Sequence, residues 1–442
     1  MLDDVLRSAE RAHPLIVAAA QERPLAEADV QSAEGSFDVA WRTRGVIVPL
    51  GGYPSGRVDS MFEKPTTLWG STLFAGYRWG SDTFAPYDGK LVTNEFGEVR
   101  AGLLVPVWRN GPIDRRRATI ERSELGLAIA DATVSQQRLE IARLAAFRYW
   151  DWVAAGKRLE AAKQVLELAR LRDAQLGARV ESGDLPAFEQ LDNRRAIVHR
   201  EQQVVLAERA LEQASIELGL FHRDEAGRVI RPASERLPRG FPEPAPLPTS
   251  YAGELETAFA RRPELERLRA QRDQTRVEER WADNQRMPAV DLAVMGSQDL
   301  GQGSVKREPF ELEAGLVIDI PLERNVAEGR LRAARAQRAR VDAQERFTID
   351  RIEADVRDAA VALRTAFERV GVAKQEVSLA HQLEAGERER FELGDSSLLI
   401  VNLREQAALE AEVRAIDALA DYHKARAALE AATARLLEPK PR

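Results

Sequence analysis

Leu2-Asp3-Asp4-Val5-Leu6-Arg7-Ser8-Ala9-Glu10-Arg11-Ala12-His13-Pro14 opens the chain. Tyr251-Ala252-Gly253-Glu254-Leu255-Glu256-Thr257-Ala258-Phe259-Ala260-Arg261-Arg262-Pro263 opens it again, with Leu6 over Leu255, Ala9 over Ala258 and Pro14 over Pro263. Each copy then follows one order: a helix, a β-like stretch ending in Val105-Pro106-Val107 or Ile320-Pro321-Leu322, a very long helix, a Gly-Asp break and a return helix. Solenoid units repeat every 20–50 residues or so, and this repeat is far longer. The chain reads as a duplicated half-protein with pseudo-symmetric halves.

Working outward, the first copy comprises an N-terminal helix (1–35), strands with an extended loop (36–111) and a long helical hairpin (112–219) whose tip is at 181–186. A proline-rich linker (220–250) leads to the second copy: a helix (251–286), strands (287–325), a hairpin (326–437) with its tip at 392–397, and a tail (438–442). The helices carry heptads. Ile113, Ile120, Leu127, Val134 and Ile141 recur every seventh residue, as do Ile349, Val356, Leu363, Val370 and Val377, so both long helices should wind against partners over their length. The return helices show two adjacent seams, for example Leu191, Val198, Val205 beside Val204, Leu211, Leu218. A helix with two seams has neighbours on both sides.

Residues 37–108 hold twelve of the 27 aromatics. Strand candidates are 37–41, 73–79 and 99–105 in the first half, and 290–294 and 312–320 in the second. A chain that enters and leaves a strand region on one side needs an even number of crossings. That predicts a first-half candidate that does not span, either the middle one or part of the loop around Tyr53–Lys90, and four strands per chain. Four cannot close a barrel, since the smallest have about eight, so closure would take several chains.

The 442 residues include no cysteine, 44% are apolar and 31% charged, and the net charge is −7. This composition suits long heptad helices and excludes disulfides, thiolate metal sites and a lipidated N-terminal cysteine in the chain as given. Mixed charge runs predict no nucleic-acid face. Met1-Leu2-Asp3-Asp4 lacks the basic and apolar regions of a secretory signal, so in an exported form the signal has been trimmed or the start mis-called. No apolar run approaches the roughly 18 residues of a membrane helix, and any crossing must be made by strands.

Catalytic patterns fail in turn. Gly51-Gly52-Tyr53-Pro54-Ser55-Gly56-Arg57-Val58 lacks the lysine and hydroxyl of a phosphate loop. The five histidines are scattered without ligand spacing. The expectation is no catalytic site, no metal and no cofactor. The two breaks, Arg179-Val180-Glu181-Ser182-Gly183-Asp184-Leu185 and Arg390-Phe391-Glu392-Leu393-Gly394-Asp395-Ser396, read as helix ends with glycine turns, an aspartate or serine then capping the next helix. Two such turns form one rim.

The duplicated Leu-x-x-Ala-x-x-x-x-Pro openings, the Pro-Val and Pro-Leu entries into the long helices and the Arg-x-x-x-Gly-Asp tips resemble the TolC-type outer-membrane efflux channel family over nearly the whole chain. The resemblance implies a mainly α fold with a small β part. Long helical hairpins would form a trimeric α-barrel continuous with a 12-stranded outer-membrane β-barrel. It implies a homotrimer in outer-membrane lipid with its helices in the periplasm, acting as a passive exit duct with a periplasmic adaptor (membrane fusion protein) and an inner-membrane pump. Gly183, Asp184, Leu185, Gly394, Asp395 and Ser396 would then touch the adaptor. Glu189, Asp192, Ile400, Asn402, Leu403 and Glu405 are the lumen-constriction candidates, with Ile400 and Leu403 standing where the family often has acidic residues. The rival reading is a soluble periplasmic coiled-coil adaptor or structural protein. Such a protein would need only one hairpin.

Overall fold

The computed structural model describes residues 1–81, 91–245 and 250–436. The chain divides into two compact units: Met1–Gln21 with Thr133–Leu265 and Phe347–Arg442, and Glu22–Ala132 with Glu266–Arg346.

The first unit is helical. In it lie α1 (Leu2–Ala12), α2 (Pro14–Ala20), α5 (Ala187–Gly219), α6 (Tyr251–Arg261), α9 (Leu398–Ala432) and much of α4 (Arg115–Glu181) and α8 (Asn325–Glu392). The expected single N-terminal helix is three, α1, α2 and α3 (Glu22–Glu34), and 251–286 is likewise split into α6 and α7 (Pro263–Asn284). The α1–α2 and α6–α7 breaks come from the repeated proline. Its ring clashes with a helical predecessor, so His13 and Arg262 are extended (ψ 127° and 119°), their N–H groups donating back to Ala9 and Ala258.

Duplication extends to the core. In the first half Tyr149, Trp150, Trp152, Val153, Leu159 and Leu166 of α4 pack against Val5 of α1 and Val204, Leu211 and Leu218 of α5. In the second, Ile352, Val356, Leu363 and Val370 of α8 pack against Ala258 of α6 and Ala418, Tyr422 and Leu429 of α9. The linker follows these helices. Phe241 stacks on Trp150 and His423, and the Ala245 carbonyl accepts from the Tyr422 hydroxyl.

The second unit holds one antiparallel sheet of six strands among the described residues, in chain order: β1 (Ala40–Val48), β2 (Ser55–Pro65), β3 (Thr72–Gly80), β4 (Glu98–Pro106), β5 (Ala289–Asp299) and β6 (Glu311–Asp319). The expected four strands per chain are therefore corrected to six. No candidate drops out. The middle one is β3, paired on both sides, and the even first-half number comes from an added strand, β2, inside the segment read as loop. Residues 82–90 of that loop lie outside the described residues.

Paired residues on neighbouring strands share a face, so the register sorts the sheet. Trp41–Phe62–Ala75–Ala101–Gly296–Leu312 is one row, and Leu73–Leu103–Val294–Ala314 belongs to the next on the same face. Every charged side chain of the six strands except Lys64 falls on the opposite face. There Arg42 pairs with Glu63 at 2.8 Å, Arg100 with Asp59 at 2.8 Å, and Arg78 with Glu98. On the apolar face Trp41, Ile47, Phe62, Leu73, Leu312, Leu316 and Ile318 are exposed. A contiguous apolar surface of this kind marks a face that meets something other than water.

Candidate functional site

Both hairpin tips use one backbone device. At the first, Gly183 N–H donates to the Val180 carbonyl (3.1 Å) and Asp184 N–H to that of Arg179 (2.9 Å); at the second, Gly394 donates to Phe391 (3.1 Å) and Asp395 to Arg390 (2.8 Å). This is the Schellman closure, which requires a left-handed residue, and Gly183 and Gly394 have φ +81° and +85°. The expected side-chain caps are absent. Pro186 and Ser397 precede α5 and α9 without capping them, Asp184 instead accepts from the Ser182 hydroxyl (2.8 Å), and Ser396 donates to Glu387 (2.6 Å). Space is open around both glycines, so a side chain there costs only backbone strain. Gly183→Val or Gly394→Val is expected to destabilise its tip by about 1–2 kcal/mol, read as faster amide exchange confined to the flanking turns.

Of the constriction candidates, Ile400 and Leu403 are exposed, while Glu189, Asp192 and Asn402 are partly so. Asp192 of α5 and Asn402 and Leu403 of α9 line one groove of about 210 Å³ together with Arg195 and Gln203. Glu405 does not join the solvent-facing group. It is 1% exposed, at the centre of α4, α5, α8 and α9. One carboxylate oxygen accepts from Arg172 of α4, the other from Arg200 of α5 at 2.8 Å, and Arg388 of α8 lies 3.5 Å away. Asn402 accepts from Arg172 at 3.1 Å, and Arg388 is also held by Glu384 at 2.5 Å. Burial, then the neighbouring Arg200 and Arg388 charges, push the Arg172 guanidinium down to about 10, still protonated at neutral pH. A single anion thus ties four helices through three cations.

Arg172 and Arg200 are absent from the sequence-based candidates, although the sequence carries a signal for them. Arg200 lies seven residues after buried Asn193 and four before buried Val204, and Arg172 lies between Ala169 and Leu176, both buried. Charge at a seam position needs a partner across the seam.

Beside this knot, His381 of α8 bridges Glu384 (3.0 Å) and Glu412 of α9 (2.8 Å). Hydrogen bonding to Glu384 first, and then to Glu412, raises its pKa above 6.5 against the opposing effect of burial. The folded value exceeds the unfolded one, so the bridge contributes fully below 6.5 and is lost as pH rises through the folded value. The His381 ring should titrate by NMR with a midpoint above 6.5, and His381→Gln should remove the pH dependence of α8–α9 amide exchange near it.

One seam of α5 stays uncovered. Leu191, Val198 and Val205 are 63–65% exposed and Phe188 is exposed beside them, whereas Val204, Leu211 and Leu218 are buried within the chain.

No protein-family model and no curated protein matches the sequence. Solved structures do match. The Campylobacter jejuni CmeC outer membrane channel aligns with TM-score 0.68 at 15% identity, over 100% of this chain and 87% of that one. The open state of the Neisseria gonorrhoeae MtrE outer membrane channel gives 0.71 at 15%, over 98% and 88%. The outer membrane protein VceC from Vibrio cholerae gives 0.68 at 16%, over 98% and 96%. The chain has the fold of the TolC-type outer-membrane channels.

Proposed function

We propose that the chain is one protomer of a homotrimeric exit duct in the outer membrane. It conducts substrates passively through a water-filled lumen, driven by an inner-membrane pump acting through a periplasmic adaptor. The observation that carries this reading is the sheet. Its strands are nine or eleven residues long, the length a tilted strand needs to cross a bilayer, about 9–11 residues. All of its charges but Lys64 lie on one face, and Trp41, Phe62, Tyr77 and Trp79, four of its five aromatics, on the other, the division expected between a wet lumen and lipid. The uncovered α5 seam supports a coiled-coil neighbour, for which a second copy is the natural occupant.

The tips, Gly183-Asp184-Leu185 and Gly394-Asp395-Ser396, are the adaptor-contacting rim in this reading. Threefold symmetry would gather Glu189, Asp192, Ile400, Asn402 and Leu403 near the axis, acidic groups attracting cations and the apolar pair excluding water. Glu405 is already committed inside each protomer, and its role is to brace the hairpins against opening. Detergent extraction, heat-modifiable migration at trimer mass and channel recording in planar bilayers test the reading, and a detergent-independent monomer overturns it. In such recordings Glu189→Gln with Asp192→Asn should lower cation preference, and Leu403→Ser should raise resting conductance. If neither responds, the gate lies elsewhere on the helices.

A further inference from the structure

We infer that the membrane wall contains all six strands of each chain, β6 of one copy pairing with β1 of the next, so that three copies of six strands close an 18-stranded barrel. This rests on the duct reading above. The alternative is a β1–β2 hairpin lying outside a wall whose edge is β3, with four strands per chain.

Three observations favour six. First, the hairpin carries the same division of faces as the rest, Lys64 apart: Trp41, Ile47, Val58 and Phe62 lie on the apolar side, and Arg42, Arg57, Asp59 and Glu63 on the charged side. A hairpin standing in water would have no reason to hold its apolar rows level with those of β3 to β6. Second, the charged face is bonded straight across β3. Asp59 on β2 reaches Arg100 on β4 at 2.8 Å, over Gly76 of β3, which offers no side chain and where an added Cβ would come 2.5 Å from the Ser60 carbonyl. β2 is thereby tied to β4 as well as to β3.

Third, the outer edges suit each other. Successive strands are antiparallel, so β1 and β6 run in opposite directions and a β6–β1 junction continues the alternation. Neither edge strand contains proline or lysine, two of the devices that blunt a free edge. Unpaired backbone groups are not tolerated in lipid, and six strands are too few to close alone. A second copy of the chain satisfies both. Barrel diameter grows roughly linearly with strand number, so this lumen would be about half again as wide as one built from four strands per chain.

The chain has no cysteine, so introduced pairs are the only thiols. Thr43, Gly45 and Ile47 of β1 are each replaced by cysteine together with Leu312, Ala314 or Leu316 of β6. A control set combines cysteine at Leu73, Ala75 or Tyr77 of β3 with the same β6 positions. After oxidation in membranes, the β1–β6 set should give covalent dimers and trimers and the β3–β6 set none. Interchain β3–β6 bonds without β1–β6 bonds overturn the six-strand wall and leave the duct intact. A heat-modifiable oligomer that cross-links through neither set also overturns it, whereas a detergent-independent monomer defeats both proposals.

Discussion

Replacing Glu405 with alanine is expected to destabilise the tip region by about 3–5 kcal/mol, because it leaves the charges of Arg172 and Arg200 buried without their anion. The two guanidiniums are themselves nearly inaccessible, at 9% and 8% exposure, so water cannot stand in for the lost carboxylate. Hydrogen exchange should show the loss in all four helices at once, since each contributes one member of the knot. Glu405→Gln keeps an acceptor but not the charge and should fall between. Replacing Glu405, Arg172 and Arg200 together by leucine and methionine should recover much of the stability, because an apolar seam avoids the desolvation of three ions. A Glu405→Ala protein as well protected as its parent would mean that the apolar seams alone hold the helices.

Val294→Arg should prevent stable insertion where Ala293→Arg, its neighbour in sequence, does not. Val294 lies with Leu103 and Leu73 on the apolar face, and Ala293 with Leu104 and Gly315 on the charged one. Arginine on the lipid side near the midplane costs about 2–4 kcal/mol, whereas on the lumen side it meets water and the carboxylates of Asp291 and Glu313. The readout is the yield of heat-modifiable protein in the outer-membrane fraction. Equal yields would remove the assignment of the apolar face to lipid.

The long helices and tips were legible because their signals are local: a sustained seven-residue period, then glycine where a Schellman turn needs a left-handed residue. The strand β2 was not. In Ser55–Pro65 only Val58, Met61 and Phe62 are large and apolar, because one face is charged and the other includes Gly56 and Ser60, so alternation is thin and Gly, Pro and Asp nearby suggest a loop. Its identity comes from pairing with β1 and β3, which no single segment reveals. The helix breaks before Pro14 and Pro263 were visible as residues, but the apolar period runs through them and masked the interruption. In sequence Glu405 is simply an acidic residue near a tip. That it points into its own chain depends on which of several seams is filled internally, and heptads do not rank seams.

The β4–β5 pairing has a consequence for biogenesis. These strands meet along nine residue pairs, yet α4, α5, α6 and α7 all intervene between them in sequence. β1 to β4 can assemble as local hairpins as soon as they emerge, but β4 must wait for most of the polypeptide before its partner exists. During that interval its free edge and apolar face are open to any other strand, including another nascent copy. Contacts of such large sequence separation slow folding. The chain should therefore depend on a holding factor specifically while residues 107–288 are being made, and a truncation ending before Ala289 should aggregate through β4 rather than persist as a soluble half.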